Sequence, residues 1–216
     1  WNGGKPGQSI AAPGMHPTRG GTRPRGGGRP LPGRRAAALA YTAPMTPAPP
    51  LDCDWFDTPL GMLTIAGDDA GLRHVLFPEN RHRGPDRTRW RRAPDRLAAA
   101  RRQLLEYFDG RRRHFELDLA PAGTPFQLAT WEALRRIPYG QTCSYAELAR
   151  RIGRPDAVRA VGAANGRNPL PIVVPCHRVI GADGRLVGFG GGLPAKRLLL
   201  QREGVMPARD GGDLFA

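Results

Sequence analysis

The residues best suited to chemistry lie in one stretch, Asn168-Pro169-Leu170-Pro171-Ile172-Val173-Val174-Pro175-Cys176-His177-Arg178-Val179. A thiol becomes a useful nucleophile when something draws off its proton, because the thiolate is the reactive form. Cys176 has His177 directly after it, and Pro171 and Pro175 restrict the backbone before it. Adjacent side chains on an extended chain point to opposite faces, so His177 can serve Cys176 only if the backbone turns there or a water relays the proton. The alternative is a buried structural cysteine, since free Cys is among the most buried residue types. Together with Cys53 and Cys143, Cys176 lacks the CxxC or Cys/His spacing of a structural zinc site, so no metal is expected.

The elements that would position this stretch follow from local patterns. Thr124-Pro125-Phe126-Gln127 is a capping box with Pro at the first helical position, and Phe126, Thr130, Ala133, Leu134 and Ile137 would form the buried face. Ser144-Tyr145-Ala146-Glu147 is a second capping box, opening a helix to about Arg151. Gly153 breaks it, and Pro155 starts a third helix through about Asn165. Two short helices joined by a glycine-containing turn have the outline of a helix-turn-helix. The second of them is rich in Ala and Gly, with Gly162 in mid-helix, where glycine costs about 1 kcal/mol relative to Ala. Small side chains there would let a partner approach closely. Beyond Cys176, Val179-Ile180 and Leu186-Val187 flank Gly181-Ala182-Asp183-Gly184 as a hairpin. Gly188-Phe189-Gly190-Gly191-Gly192 leaves nearly bare backbone, and Pro194 starts a last helix ending at Glu203-Gly204.

Upstream, Phe56 to Ala66 and Leu72 to Phe77 read as strands around a Gly67–Gly71 turn. Pro94-Asp95 opens a helix closed by Gly110, and Phe115, Leu117 and Leu119 alternate as a further strand. Ala120-Pro121-Ala122-Gly123 is the expected linker. Residues 1–50 carry seven basic groups, no acid, ten Gly and ten Pro, a composition that cannot bury a core and is expected to be a disordered basic arm. Because the chain begins with Trp and Met45 precedes the first strand, the arm reads either as a nucleic-acid-binding tail or as upstream sequence translated from a wrong start. The whole chain carries a net charge of +14, which points to a polyanionic partner. Three scattered cysteines favour a reducing compartment, and no run is long and apolar enough to span a bilayer, so a cytoplasmic protein is expected.

Taken together, Pro175-Cys176-His177-Arg178-Val179, preceded by Arg159-Ala160-Val161-Gly162 and Asn168-Pro169 and followed by Gly188-Phe189 and Glu203-Gly204, closely resembles the O6-alkylguanine-DNA alkyltransferases. The resemblance spans roughly residues 53–206. It implies an α+β chain: a small N-terminal α/β (ribonuclease H-like) domain over 51–121, then a mostly helical, helix-turn-helix-containing catalytic domain over 122–208, with a disordered tail at 209–216. It implies that Cys176 accepts the alkyl group, that His177 deprotonates it through a water, and that Glu203 orients and charges the imidazole. By the same resemblance Asn168 would be the hinge asparagine, and Tyr145 would donate to the flipped guanine. Arg159 would fill the gap left by the extruded nucleotide, on a helix whose Ala160, Gly162 and Ala163 would lie in the minor groove. Val179 and Gly190 would meet the base edges through their backbone. Phe189 stands where some members have Tyr, and Lys196, the one lysine outside the arm, supports the pocket. The implied partner is double-stranded DNA containing O6-alkylguanine, met by a monomer without a cofactor, and the alkyl transfer is irreversible and stoichiometric. Two other readings compete. A non-catalytic damage-recognition protein on the same scaffold would lack the reactive cysteine, and a Cys-His hydrolase would not need the helix-turn-helix or the basic balance.

Overall fold

The computed structural model describes residues 50–79 and 84–207. The basic arm, Pro50 apart, and the tail at 209–216 lie outside the described residues. In the first half, strands β1 (Asp52–Phe56), β2 (Leu63–Asp68) and β3 (Gly71–Leu76) are antiparallel neighbours, and the short β4 (Arg91–Arg92) runs parallel to β1, giving the sheet order β3-β2-β1-β4. The single strand expected over Phe56 to Ala66 is therefore the end of β1, a turn and most of β2. Thr58 makes that turn, with its amide and carbonyl bonded to Gly61 at 3.2 and 2.8 Å. One face of the sheet is covered by helix α1 (Ala98–Phe108), entered through a single 3-10 turn at Pro94–Leu97. Leu63, Ile65, Leu104 and Tyr107 are fully buried between them.

Phe115 to Leu119 do not form the expected strand. Only Leu119 bridges, to Leu72 on the free edge of β3, through Leu72 N–H donating to the Asp118 carbonyl and Ala120 N–H donating to the Leu72 carbonyl. The same edge supports the second half of the chain, where Val75 N–H donates to the Pro169 carbonyl at 2.8 Å, just upstream of the reactive segment.

The second half is built of α2 (Pro125–Arg135), α3 (Tyr145–Arg151), α4 (Val158–Gly166) and α5 (Gly192–Arg202). Both capping boxes form: Thr124 accepts from Gln127 N–H and Ser144 from Glu147 N–H, with the reciprocal bonds made. Trp131 joins the buried face of α2, and its indole N–H donates to the Ala164 carbonyl at 2.9 Å, tying α2 to α4. Helix α4 starts at Val158, three residues after Pro155, because Ala157 still has a turn conformation and no side chain caps it. The hairpin expected around Gly181–Gly184 is a tight turn without a strand pair. Val179–Ile180 (β6) instead pairs in parallel with Cys143–Ser144 (β5). No helix among the described residues is long and apolar enough to cross a membrane.

Candidate active site

The β-branched run before Cys176 folds as consecutive turns, not as a strand. Ile172 has φ +74°, a left-handed conformation that a β-branched residue rarely adopts. The turn is held by Asn168: its Nδ2 donates to the Val174 carbonyl at 2.7 Å, and its Oδ1 accepts from Leu170 N–H at 3.0 Å. Val174 N–H closes back on the Leu170 carbonyl at 2.8 Å. Strain of this kind costs on the order of 1–3 kcal/mol and persists only where neighbours over-determine the backbone. Its effect is to aim the next residues, Cys176–Arg178, which form a single 3-10 turn. That turn answers the geometric question raised by the Cys-His pair: the backbone bends between them.

All three side chains of the turn are buried. His177 Nε2 lies 2.8 Å from Glu203 Oε1. An ionised carboxylate only accepts, so Nε2 carries the proton and Nδ1 keeps its lone pair. Nδ1 is buried and has no hydrogen-bond partner in the protein. Burial pulls the imidazole below its usual range, and Glu203 opposes that pull. Burial would raise the Glu203 carboxyl, but hydrogen bonds and charge from His177 and Arg178 outweigh it and hold the group down to about 2. Arg178 reaches Glu203 through two nitrogens, at 2.8 and 2.9 Å, and donates a third time to the Ile137 carbonyl at 2.6 Å. Tyr107 and the Gly140 amide complete the carboxylate's shell at 2.8 and 3.2 Å.

The Cys176 thiol is pushed up to about 11 by burial. The Asn168 side chain, the charge of Lys196 and the amides of Cys176 and His177 pull the other way. Lys196 is fully buried, and its ammonium donates to the carbonyls of Val179, Val187 and Gly188 at 2.5, 2.8 and 3.4 Å. Three diverging donors on one point charge suit a lysine and not the flat fork of an arginine. Burial lowers it to about 8.

Two cavities flank this centre. One, of about 400 Å³, is lined by Tyr145, Gly162, Ala163, Asn165, Gly188 and Phe189, among others. The Tyr145 hydroxyl donates to the Val187 carbonyl at 3.2 Å, and burial, then the Cys176 charge, push it up to about 12, so it stays a donor. The other cavity, of about 430 Å³, holds Cys176, Asn168 and Gly190 on one side and His74 to Phe77 on the other. Gly190 and Phe189, adjacent in sequence, thus open on different cavities. Asn165 lines both. Val179 is buried, with its carbonyl engaged by Lys196. On α4, Arg159, Ala160 and Ala163 face solvent, and Arg159 makes no ion pair among the described residues. A Cβ built on Gly162 would meet Tyr145 at an ordinary 3.7 Å, so packing within the protein does not require that glycine. At Gly191, by contrast, a Cβ would lie 2.6 Å from the Phe77 ring, which explains one residue of the glycine run by packing alone.

Sequence reasoning missed Tyr107, Asn165 and the pairing role of Arg178. Nothing in the spacing marked the first two. A buried arginine beside a reactive pair was visible in the five-residue motif but carried no partner until the fold supplied Glu203.

Family models match most of the described chain. The 6-O-methylguanine DNA methyltransferase DNA-binding domain matches residues 125–205, and the ribonuclease-like domain of the same proteins matches residues 53–121. A methylated-DNA–protein-cysteine methyltransferase of Methanosarcina acetivorans is 47% identical over 149 residues, 69% of this chain and 96% of that protein. The chain belongs to the 6-O-methylguanine DNA methyltransferase family. A second methyltransferase relative, from Mycolicibacterium paratuberculosis, is 50% identical over 147 residues, covering 68% of this chain and 88% of its own length. Among solved structures, Mycobacterium tuberculosis OGT in complex with DNA superposes with a TM-score of 0.68 at 47% identity, covering 71% of this chain and 93% of that one. The ribonuclease-like and DNA-binding halves of the 6-O-methylguanine DNA methyltransferases thus correspond to the sheet-bearing and helical halves described above.

Proposed function

We propose that this chain repairs double-stranded DNA by moving an alkyl group from O6 of guanine to Sγ of Cys176. The observation that carries the reading is the buried line from Cys176 to His177 to Glu203, with an imidazole nitrogen left free for a proton. The His177 Nδ1 lone pair takes the thiol proton by way of a bridging solvent molecule, and Glu203 stabilises the imidazolium. The thiolate attacks the alkyl carbon: an S–C bond forms, the C–O6 bond breaks, and the electron pair goes to the guanine ring. Tyr145 donates a hydrogen bond as that charge develops, and the proton lost by the thiol ends on the departing base. Arg159 enters the duplex from the exposed face of α4, where Ala160, Gly162 and Ala163 allow close approach to the minor groove. Val179, Phe189, Gly190 and Lys196 shape and polarise the base pocket, and Asn168 holds the reactive turn against the helix-turn-helix. We divide the chain at 121/122, and assign the reaction to a monomer in the cytoplasm, where Cys53, Cys143 and Cys176 remain free thiols.

The product is a thioether, which has no proton to lose and a thiolate as its leaving group, so each molecule acts once. The test is to mix a molar excess of O6-methylguanine duplex with the protein and follow repaired base. Product equal to active protein and then a flat line is expected, with the added mass on Cys176. Continued turnover, or transfer that survives Cys176→Ser, overturns the reading.

A further inference from the structure

The carboxylate that faces His177 is shared between the two halves of the chain. Glu203 sits at the C-terminal end of α5, and Oε1 receives three donors: His177 Nε2 at 2.8 Å, Arg178 Nη2 at 2.9 Å and Tyr107 Oη at 2.8 Å. Tyr107 belongs to the last turn of α1, in the ribonuclease-like half, 96 residues away in sequence. Its ring is fully buried, edge-on to Phe108 at 5.5 Å and to Tyr139 at 6.3 Å and tilted on Phe115 at 5.6 Å, so its rotamer is locked by packing. Burial, and then the Glu203 charge, hold the phenol well above its ordinary range, and the hydroxyl remains a donor at any working pH.

We propose that Tyr107 is a positioning residue for the alkyl transfer: through Glu203 Oε1 it sets the placement and basicity of His177, which makes the first domain a working part of the active site. This rests on the reading that His177 takes the Cys176 proton. A buried tyrosine needs only some acceptor to satisfy its hydroxyl, and main-chain carbonyls are the commonest. Here the acceptor is the same oxygen that holds the imidazole, so any change in the phenol bond is felt one bond from the base. The docking around it is continuous. Tyr139 Oη donates to the Arg202 carbonyl at 2.8 Å, and Arg202 Nε donates to the Tyr107 carbonyl at 3.3 Å, which ties Tyr139 and the end of α1 to the residue before Glu203.

The direction of the effect follows from charge. Each donor on Oε1 withdraws charge that would otherwise stabilise an imidazolium. Removing the phenol hydroxyl leaves a more basic carboxylate, and the His177 pKa rises. Below that pKa the imidazole is already protonated and cannot accept the thiol proton, so the acid limb of the rate profile moves to higher pH. The groups facing His177 are Glu203 and Lys196 from α5, Cys176 and Arg178 from its own turn, and Phe189, whose ring is edge-on at 6.5 Å. Tyr107 reaches it only through Glu203.

The experiment is single-turnover methyl transfer from an O6-methylguanine duplex by the full chain, from pH 5.5 to 9. With Tyr107→Phe, the acid limb is expected to move up by about one unit, the size of one hydrogen bond to a charged group. That is roughly a tenfold loss on the acid side, and it fades as the plateau is reached. Replacing Tyr107 with 3-fluorotyrosine, a nearly isosteric and stronger donor, should move the limb the other way, and it keeps the test decisive if the phenylalanine variant fails to fold. In a Glu203→Gln background, either change should leave the profile where Glu203→Gln put it. An unmoved limb in both variants, or a rate that drops equally at every pH in step with lost stability, overturns the proposal. A wild-type chain that never alkylates Cys176 removes the underlying reading and the proposal with it. Wild-type transfer with unmoved variant profiles removes the proposal alone.

Discussion

Glu203→Gln separates what the buried network does for stability from what it does for chemistry. The Glu203 carboxyl is held at about 2 against an ordinary value of 4.5. At 1.36 kcal/mol per unit, that difference stabilises the folded chain by roughly 3 kcal/mol. Because the folded pKa is depressed, the stabilisation is present in full above pH 4.5 and is lost as the pH falls toward 2. Glutamine removes the charge and also leaves Arg178 buried with only the Ile137 carbonyl and part of an amide for partners. Breaking a buried pair in this way costs about 3–5 kcal/mol, a large share of a typical 5–15 kcal/mol total. The glutamine Oε1 still accepts from His177 Nε2, so the tautomer survives while the imidazolium loses its counter-charge. A single-turnover rate lower by about 10²–10³, near 3–4 kcal/mol of barrier, is expected. The deciding variant is Glu203→Gln combined with Arg178→Met. Removing both charges should recover much of the stability measured by urea unfolding, yet the rate should stay low. If the double variant regains rate along with stability, or if Glu203→Gln alone transfers at the wild-type rate, the assigned role of Glu203 in proton transfer is wrong.

For Arg159→Ala, repair of an alkylated duplex should fall by 10-fold or more, on the order of a few kcal/mol of lost unstacking help, while reaction with free O6-benzylguanine changes little, because a free base needs no extrusion; equal losses on both substrates would make Arg159 structural. Gly162→Ala should raise stability by about 0.5–1 kcal/mol, measured by urea unfolding, since its Cβ would meet Tyr145 at an ordinary 3.7 Å. Gly162→Leu should keep that stability but fill the Tyr145 cavity and abolish labelling by the free base, and a leucine variant that labels normally would show that the base binds elsewhere.

How much of this was legible beforehand depends on the range of the interaction. The capping boxes at Thr124 and Ser144 are written within four residues, and both formed as read. The Cys176-His177 pair and Glu203 were legible because the motif is contiguous and its carboxylate falls at a family-matching offset. The partners that span the two halves were not. Tyr107 was not singled out, since periodicity reports which face of a helix is buried but not which polar atom a buried hydroxyl meets. The prolines around the apolar run Leu170 to Val174 marked a bend at Cys176 but not its form, and β-branched residues by themselves favour strands. The Asn168 bonds and the left-handed Ile172 override that preference, and neither can be inferred from propensity. Phe115 to Leu119 alternated like a strand but had only one end of β3 left to pair with.

The burial that activates this site also restrains it. A thiol held at about 11 leaves roughly one molecule in ten thousand as thiolate at pH 7, a standing cost of about 5 kcal/mol for ionising the sulfur. Solution oxidants and alkylating agents react through the thiolate, so a chain that is consumed by its own reaction is protected from being consumed by the wrong one. The cost must be offset when the substrate is in place, and the parts for doing so are already ordered. The charge of Lys196, the Asn168 side chain and two backbone amides pull the thiol down, and His177 offers a proton acceptor whose charge Glu203 is set to meet. These groups are fixed by their bonds before the substrate arrives, which is the condition under which electrostatic stabilisation in a buried site is most effective. In the proposed mechanism what has to move is the base, and selectivity then rests on extrusion and on the cavity beside Tyr145, not on the intrinsic reactivity of Cys176.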